Sequence, residues 1–357
     1  MKIVHCIFSL NTGGAETMLI DILNEQVKTE DVALIIINES FNPSFFKLLD
    51  KRVSLYLLHR KQNSKSPCPI IKLNTLLFHL HPDVIHLHNS SLPAILLPYW
   101  RHRLFYTIHS LDVNPKYLNH VACTFAISNA VKEHMQPQLK KTLIAVVPNG
   151  ISCEKIKQRE NKSFDTTFKI IQVARLNADI KGQDILIRAI AQLNNANIHN
   201  ITVDFIGEGP SETQLRELSH SLHVEDKVNF LGLKDRAYIY SHLKDYDLLC
   251  HPARSEGFGL VVAEAMAAYL PVLVSNENGP YEIINHGTLG FFFENENITD
   301  CAEQIEYIYH NYSQATEKAE AACVHIAHHY SIANTAQEYI NHYKMVLTSS
   351  PNCRHRL

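Results

Sequence analysis

Short apolar runs recur along the chain, and most are followed by a polar turn and then by a longer amphipathic segment. Runs of this length are typical of strands buried on both faces of a sheet, and the longer segments have the periodicity of helices. The alternation predicts an α/β fold, in which a parallel sheet carries helices on both faces. In the first half, strands are predicted over residues 2–8, 32–37, 53–57, 84–87, 104–108, 124–127 and 143–147.

The second half repeats this alternation and ends in a helical tail. Its strands are predicted over residues 168–174, 203–206, 228–231, 247–250 and 272–274. Helices are predicted over residues 15–27, 70–80, 130–135, 184–193 and 260–269. The tail is predicted to be helical over 297–347, with Ser331 as the N-cap of the last helix, and residues 348–357 to be disordered.

The apolar segment 92–100 ends in three basic residues, Arg101, His102 and Arg103. We favour a core helix whose cationic end is stabilised by the helix dipole. The alternative is a contact with a membrane or with a lipid-linked acceptor.

A length of 357 residues indicates two domains. Residues 152–167 are polar without a clear periodicity, which predicts a linker. We expect an N-terminal domain over 1–160, a C-terminal domain over 161–330, and a final helix with a short tail over 331–357.

The composition favours a cytoplasmic protein. Eight cysteines are scattered without a C-x-x-C pair, which favours a reducing compartment. The apolar run at the N-terminus is too short for a signal peptide, and no stretch approaches the 18 apolar residues of a membrane span.

Charge is distributed unevenly between the two halves. Residues 1–160 carry 18 Lys and Arg against 12 Asp and Glu, whereas residues 161–357 carry 15 against 24. A basic N-terminal half indicates an anionic partner or an anionic membrane surface, unless the charges are simply solvated.

The stretch 251–275 carries the most distinctive chemistry. Glu256 lies beside two glycines in a predicted loop, and the helix that follows carries Glu264. Glycines let backbone N–H groups turn toward an anion at a helix N-terminus, where the helix dipole also favours negative charge. The pattern favours a ligand whose phosphates are flanked by hydroxyl-rich rings; the alternative is a surface loop with solvated glutamates.

The spacing E-G-F-G-L-x-x-x-E resembles the signature of the retaining glycosyltransferases of family four, which have the GT-B fold. The resemblance implies two Rossmann-like domains facing each other across a cleft, the N-terminal one binding the acceptor and the C-terminal one the nucleotide sugar. It implies that Glu256 binds hydroxyls of the donor sugar and that Glu264 binds the ribose. The residues between them that would bind the donor are Gly257, Phe258, Gly259 and Leu260.

Other positions match the family's motifs in the expected order. Arg175 and Lys181, on either side of a turn after a predicted strand, resemble the family's diphosphate clamp. Both cations would stabilise the charge that grows on the departing diphosphate. His109, at the end of another predicted strand, matches the histidine that lines the donor pocket of the family.

Glycine-rich turns extend the resemblance. Gly13 and Gly14 follow the first strand in N-T-G-G-A-E, which lacks the G-x-G-x-x-G dinucleotide fingerprint and resembles the family's G-G-x-E turn near the phosphates. Gly207 lies in a G-x-G-P loop, and Leu231 lies where the family frames the nucleobase. Two further turns resemble family motifs, at residues 147–151 and 278–282.

The histidines do not predict a metal site. His86 and His88 share one face of a predicted strand, but no third ligand has a convincing spacing, and no D-x-D motif falls at a strand end. We therefore expect neither a metal nor another cofactor, because the fold's usual chemistry relies on cations and a helix dipole.

The resemblance implies a retaining, metal-independent hexosyltransferase. It would move a sugar from a nucleotide diphosphate sugar, preferably a UDP-sugar, to a saccharide or lipid-linked saccharide acceptor. The pathway expected is cell-envelope polysaccharide synthesis, such as capsule or lipopolysaccharide, at the inner membrane face, with no role for nucleic acid. The alternatives are a nucleotide-sugar epimerase of the same fold and a non-catalytic nucleotide-sugar-binding subunit.

Overall fold

The structure is a computed structural model, and it describes residues 1–11, 13–62, 64–140, 142–160, 163–164 and 166–349. The chain forms two compact units. The first contains residues 1–150 together with the segment that starts at Ile332, and the second contains residues 151–331.

The first unit is built on a seven-stranded sheet in the order β3-β2-β1-β4-β5-β6-β7. All neighbouring strands are parallel, as the sequence predicts. The strands are β1 (Lys2–Ile7), β2 (Asp31–Asn38), β3 (Ser54–Arg60), β4 (Val84–Leu87), β5 (Leu104–Ile108), β6 (Cys123–Ala126) and β7 (Leu143–Val146). Its helices before residue 150 are α1 (Gly14–Gln26), α2 (Ser44–Leu48), α3 (Cys68–Leu80) and α4 (Asn129–Met135).

The second unit repeats this plan with a six-stranded parallel sheet in the order β10-β9-β8-β11-β12-β13. Its strands are β8 (Phe168–Val173), β9 (Ile201–Ile206), β10 (Val228–Phe230), β11 (Leu248–His251), β12 (Val272–Ser275) and β13 (Phe291–Phe293). Its helices are α5 (Ala178–Lys181), α6 (Gln183–Asn195), α7 (Glu212–Ser221), α8 (Arg236–His242), α9 (Leu260–Ala267), α10 (Asn278–Ile283), α11 (Ile298–His310) and α12 (Tyr312–His329). Both orders place the first strand beside the fourth, which is the doubly wound, Rossmann-like arrangement.

The last helix, α13 (Ile332–Ser349), belongs to the first unit. It packs against α1, and its buried Tyr339 and Tyr343 join the core beneath β4, β5 and β6. The predicted disorder from residue 348 is wrong for residues 348 and 349, which are helical, and residues 350–357 lie outside the described residues.

The predicted core helix over 92–100 is wrong. Two short 3₁₀ helices, Leu92–Ile95 and Pro98–Arg103, take its place. Pro93 and Pro98 each lie at the start of one of them, where proline is tolerated, but Pro98 would remove a hydrogen bond from the interior of a continuous helix. As a result Trp100 is buried while Leu97 and Tyr99 are exposed.

The first boundary between the units falls at Gly150, ten positions before the expected residue 160. The reason is that residues 151–160 pack on the second unit. The backbone N–H groups of Lys157 and Arg159 donate to the carbonyl oxygens of Tyr240 and Ala268 at 2.9 and 2.8 Å.

Arg159 also anchors this segment through a buried ion pair. Its guanidinium lies 2.6 Å from Oδ1 of Asp247, bonds to the Tyr246 carbonyl and stacks over the Tyr312 ring. The other carboxylate oxygen of Asp247 accepts from the backbone N–H of Lys169 at 2.8 Å. Burial raises the pKa of Asp247 despite these favourable contacts, so the carboxylate depends on its partners.

Removing one partner of this pair should destabilise the second unit strongly. We expect Arg159→Ala to lower the free energy of unfolding by about 3–5 kcal/mol, because it leaves a buried carboxylate without its cation. Urea denaturation of the full chain measures the change. Arg216→Ala is the control, since its exposed pair with Glu212 should contribute less than about 1 kcal/mol. Equal losses in both variants would contradict the prediction.

Candidate functional site

Parallel sheets bind ligands beyond the carboxyl ends of their strands, at the point where the strand order reverses. In the second unit this point lies between β8 and β11. Arg175 follows β8, and the loop that carries Glu256 follows β11. Two of the predicted site residues therefore leave the sheet at the position that the topology favours for a ligand.

Lys181 and Glu256 form an ion pair at this edge. The Lys181 amino group donates to Oε2 of Glu256 at 2.6 Å, and Nε2 of His251 lies 3.6 Å from the same oxygen. Burial raises the pKa of Glu256, but His251 and Lys181 together outweigh it and lower that pKa to about 2. Glu256 is therefore ionised at neutral pH, and it neutralises the Lys181 charge in the free protein.

Buried glutamines hold the backbone beneath these charges. The Gln172 amide donates to the Lys181 carbonyl at 2.8 Å, and the Gln183 amide donates to the Arg175 carbonyl at 3.0 Å. Both glutamines are fully buried at the edge of the sheet. They fix the chain on both sides of the turn from Arg175 to Lys181, and the sequence alone gives no signal for either glutamine.

Arg254 joins the loop after β11 to the helices after β8. Its guanidinium binds both carboxylate oxygens of Asp184 at 2.8 and 2.9 Å, the Ala178 carbonyl at 2.7 Å and Glu296 at 2.9 Å. Sequence reasoning missed this residue. Only the tertiary fold brings Arg254 and Asp184 together, so local spacing gives no signal of the pair.

The glycine-rich loop leads into α9 as the sequence predicts. Gly257 and Phe258 are buried, and Gly259 has a φ of 93° before α9 begins at Leu260. The predicted turn at 278–282 lies in α10, and a Cβ atom on Gly279 would lie 2.4 Å from the Gly257 carbonyl oxygen. The two motifs are therefore in direct contact.

The remaining predicted residues of the second unit follow neighbouring strands. Glu264 is half-buried on α9, whereas Glu256 lies on the loop. Gly207 follows β9 and Leu231 follows β10. Arg175 is exposed, and within the described part of the chain no carboxylate forms an ion pair with it. Its charge is thus available to a ligand.

In the first unit, the predicted residues follow β1 and β5. Gly14 begins α1, and the Thr17 hydroxyl donates to the Gly13 carbonyl at 2.7 Å. Glu16 lies in the first turn of α1, where burial raises its pKa. His109 is half-buried and follows β5 directly.

The fold brings a third histidine to His86 and His88, which the spacing of the sequence does not reveal. β1 pairs with β4 so that His5 lies opposite His86, and a nitrogen of each of the three histidines falls within 4.8 Å of the others. The rings are nevertheless stacked, with interplanar angles of 8° to 22°. Imidazole lone pairs lie in the ring plane, so stacked rings do not direct three of them at one point, as tetrahedral coordination requires.

Two family models match consecutive parts of the chain. Residues 12–155 match the family described as Glycosyltransferase Family 4, and residues 154–323 match the one described as Glycosyl transferases group 1. The chain belongs to these glycosyltransferases.

Relatives agree with this assignment. The chain is 27% identical over 338 residues to an uncharacterized glycosyltransferase of Haemophilus influenzae, across 87% of this chain and 91% of the relative. It is 31% identical over 195 residues to one of Methanocaldococcus jannaschii, across 54% and 49%. The crystal structure of HepE from Anabaena in complex with UDP and glucose superposes with a TM-score of 0.82 at 21% identity, covering 97% of this chain and 100% of that one. The predicted GT-B fold class, with two Rossmann-like halves, is thereby confirmed.

Among the helices of the described residues, none has both the length and the apolar character that crossing a membrane requires.

The turn at Gly182, directly after Lys181, should not tolerate a side chain. Gly182 has a φ of 66°, and a Cβ atom there would lie 1.8 Å from the Pro252 carbonyl oxygen. We expect Gly182→Ala to destabilise the protein by about 2 kcal/mol or more, from backbone strain together with overpacking.

Gly232→Ala is a matched control for this variant. Gly232 has a φ of 68°, but a Cβ atom added there would meet none of the described atoms within 4 Å, so only the strain of about 1–2 kcal/mol applies. Urea denaturation compares the two variants with the unmodified protein. Losses of the same size would contradict a steric role for Gly182.

Proposed function

We propose that this glycosyltransferase moves a hexose-type sugar from a nucleotide diphosphate sugar, preferably a UDP-sugar, to an acceptor hydroxyl with retention of configuration. The observation that carries the proposal is the pairing of Lys181 with an ionised Glu256 at the edge where the strand order reverses, where the exposed Arg175 also follows β8. A cation can bind a phosphate, and a neighbouring carboxylate can accept hydrogen bonds from sugar hydroxyls. The pair therefore suits a ligand that has a phosphate next to a sugar. The UDP and glucose bound to HepE support the choice of donor.

Each charged group has a role in this proposal. Arg175 and Lys181 bind the diphosphate and stabilise the charge that develops on it as the glycosidic bond breaks. Glu256 accepts hydrogen bonds from sugar hydroxyls and orients the ring, and Glu264 accepts from the ribose. The leaving diphosphate assists removal of the acceptor proton on the same face of the sugar, so Glu256 forms no covalent bond.

The uncharged positions shape the donor site. The backbone N–H groups of the loop 257–260 and of the turn at Gly13 and Gly14 bind phosphate oxygens at helix N-termini. Gly207 and Leu231 border the nucleobase. His109 binds a hydroxyl of the donor sugar.

A donor panel tests this function. The protein is incubated with UDP-, GDP- and ADP-sugars, with and without saccharide or lipid-linked saccharide acceptors, and nucleoside diphosphate release is followed. Acceptor-dependent release, unchanged by EDTA, and a product with the anomeric configuration of the donor are expected. An epimerase would instead release a free epimerised sugar without an acceptor, and a non-catalytic subunit would release nothing.

The ion pair predicts different roles for the two glutamates. Glu256→Gln removes the charge that neutralises Lys181, so we expect nucleoside diphosphate affinity to rise by up to about fivefold while sugar transfer falls. Glu264→Gln removes a carboxylate that binds the ribose, so the same affinity should fall about tenfold.

Isothermal titration calorimetry with UDP and a transfer assay measure both effects. Arg188→Ala, which changes an exposed residue of α6 away from these charges, is a control and should alter neither quantity. A loss of UDP affinity in Glu256→Gln would contradict the proposal that Glu256 and the diphosphate compete for Lys181.

An exposed apolar patch supports contact with the cytoplasmic face of the inner membrane. We define the patch as Ile71, Phe78, Leu97 and Tyr99, all of which are large and exposed. The Phe78 and Tyr99 rings lie 5.5 Å apart, and the backbone N–H of Leu97 donates to Asn74 of α3, so the patch joins α3 to the second 3₁₀ helix. Ile71 lies seven positions before Phe78 on the same face of α3.

The exposed cations Lys72 and Arg101 adjoin this patch in the sequence. Apolar side chains next to basic ones match the chemistry of an anionic lipid surface. This contact would hold the first unit, which we propose binds the acceptor, at the surface where lipid-linked acceptors lie.

Polar substitution of the patch should weaken binding to vesicles. We expect the double variant Phe78→Ser with Tyr99→Ser to bind phosphatidylglycerol vesicles about tenfold more weakly or worse in a sedimentation assay, because two apolar side chains no longer enter the lipid interface. Leu233→Ser, at an exposed leucine of the second unit, is the control and should retain binding. Equal binding by both variants would contradict a membrane role for the patch.

A further inference from the structure

Four histidines gather where the strand order of the first sheet reverses. His5 lies in β1 and His86 in the neighbouring β4, and His88 and His109 directly follow β4 and β5. His5, His86 and His88 are buried, whereas His109 is half-buried at the carboxyl edge. Only His109 has a role in the proposed function, so the other three need an explanation.

Three of the histidines form a hydrogen-bonded chain that begins at Gln26, the last residue of α1. Oε1 of Gln26 lies 2.8 Å from Nε2 of His5. Nδ1 of His5 lies 3.0 Å from Nε2 of His88, and Nδ1 of His88 lies 3.2 Å from Nε2 of His109. His5 and His88 therefore each use one nitrogen toward Gln26 and the other toward His109.

The chain consists of neutral imidazoles. Burial lowers the pKa of His5 and of His109 to about 4. Burial, together with the neighbouring histidines, lowers the pKa of His88 well below its usual value. A neutral imidazole has one N–H donor and one bare acceptor nitrogen, so each ring can donate in only one direction.

The direction of hydrogen-bond donation along the chain follows from the Gln26 amide oxygen at one end. Oε1 of Gln26 only accepts, so Nε2 of His5 carries the hydrogen and Nδ1 is bare. His88 must then donate from Nε2, and its own bare Nδ1 accepts from Nε2 of His109. The Nδ1 atom of His109 is left as an acceptor, and none of the described residues donates a hydrogen bond to it.

His86 keeps the rings parallel without interrupting the chain. Its two nitrogens bond to the hydroxyl groups of Tyr343 and Thr107. Its ring stacks against His5 and His88 with centroid distances of 5.0 and 4.7 Å. The stacked ring restricts rotation of both neighbours.

We propose that Gln26, His5 and His88 are positioning residues that fix His109 as its Nε2–H tautomer, so that its bare Nδ1 accepts a hydrogen bond from a sugar hydroxyl of the donor. The role of His109 rests on the proposed function, but its tautomer does not. The opposite tautomer would present an N–H group at this position, which suits a phosphate or carbonyl oxygen. A bare Nδ1 instead requires the sugar hydroxyl to act as the donor.

The tautomer is measurable without any variant. Long-range ¹H–¹⁵N correlation spectra of the full chain, labelled with ¹⁵N-histidine, distinguish bare from protonated ring nitrogens, and His109→Gln assigns the signals. We expect Nε2 of His109 to be protonated and Nδ1 to be bare at neutral pH. A protonated Nδ1 would overturn the proposal.

Gln26→Leu tests whether Gln26 determines the tautomer of His109. This variant removes the acceptor, so His5 no longer favours Nε2–H and the His109 signals should shift toward the Nδ1–H form. Gln26→Glu retains an acceptor and should preserve the Nε2–H form. Asn24→Leu removes an amide of α1 that, among the described residues, bonds to the Leu48 and Asp50 backbone alone, and it should leave His109 unchanged. An unchanged tautomer in Gln26→Leu would overturn the proposal.

Kinetics then separates positioning from general stability. In Gln26→Leu we expect kcat/KM for the sugar donor to fall about tenfold, as for one lost neutral hydrogen bond, while UDP affinity stays constant. Gln26→Glu should restore most of the lost activity. If the tautomer shifts while kcat/KM is unchanged, the proposed hydrogen bond from a sugar hydroxyl to Nδ1 of His109 would be overturned. Absence of donor turnover in the unmodified protein would refute the proposed function instead, and the spectra would still decide the tautomer.

Discussion

Parallel pairing of every strand is the constraint on which the rest of the structure depends. Because each connection must return to the opposite end of the sheet, all strands of one sheet end at the same edge. Where the strand order reverses, the chain departs in opposite directions from two neighbouring strands and leaves a gap. Residues that are distant in the sequence, such as Lys181 and Glu256, therefore meet at that edge. In the first unit, His5 and His88 meet through the same parallel pairing.

Charge compensation keeps this edge ready for a ligand. A buried carboxylate or ammonium group without a partner costs several kcal/mol, yet Glu256 is ionised because Lys181 and His251 offset its desolvation. A donor with a diphosphate and a sugar offers each of the paired groups a new partner. Binding would then exchange one set of polar contacts for another, while Gln172, Gln183 and Arg254 keep the backbone in place.

The strands and the glycine-rich loop could be predicted because their signals are local. A buried parallel strand is a continuous apolar run, and the loop before α9 needs glycines at fixed spacings. Non-local partners could not be predicted: His5 meets His86 only through strand pairing, and Arg254 meets Asp184 only through the fold. The helix predicted over 92–100 is wrong for a local reason: the segment is apolar, but Pro93 and Pro98 divide it into two 3₁₀ helices.

Both ends of α1 influence the carboxyl edge of the first sheet. α1 begins at Gly14, at the turn proposed to bind phosphate, and ends at Gln26, which orients His5. In a chain of neutral imidazoles, the group at one end decides the hydrogen positions along the whole chain, because each ring that accepts on one side must donate on the other. The tautomer of His109 therefore depends on an amide that does not itself reach the edge. A shift of α1 would alter the phosphate turn and the hydrogen-bonding character of His109 together.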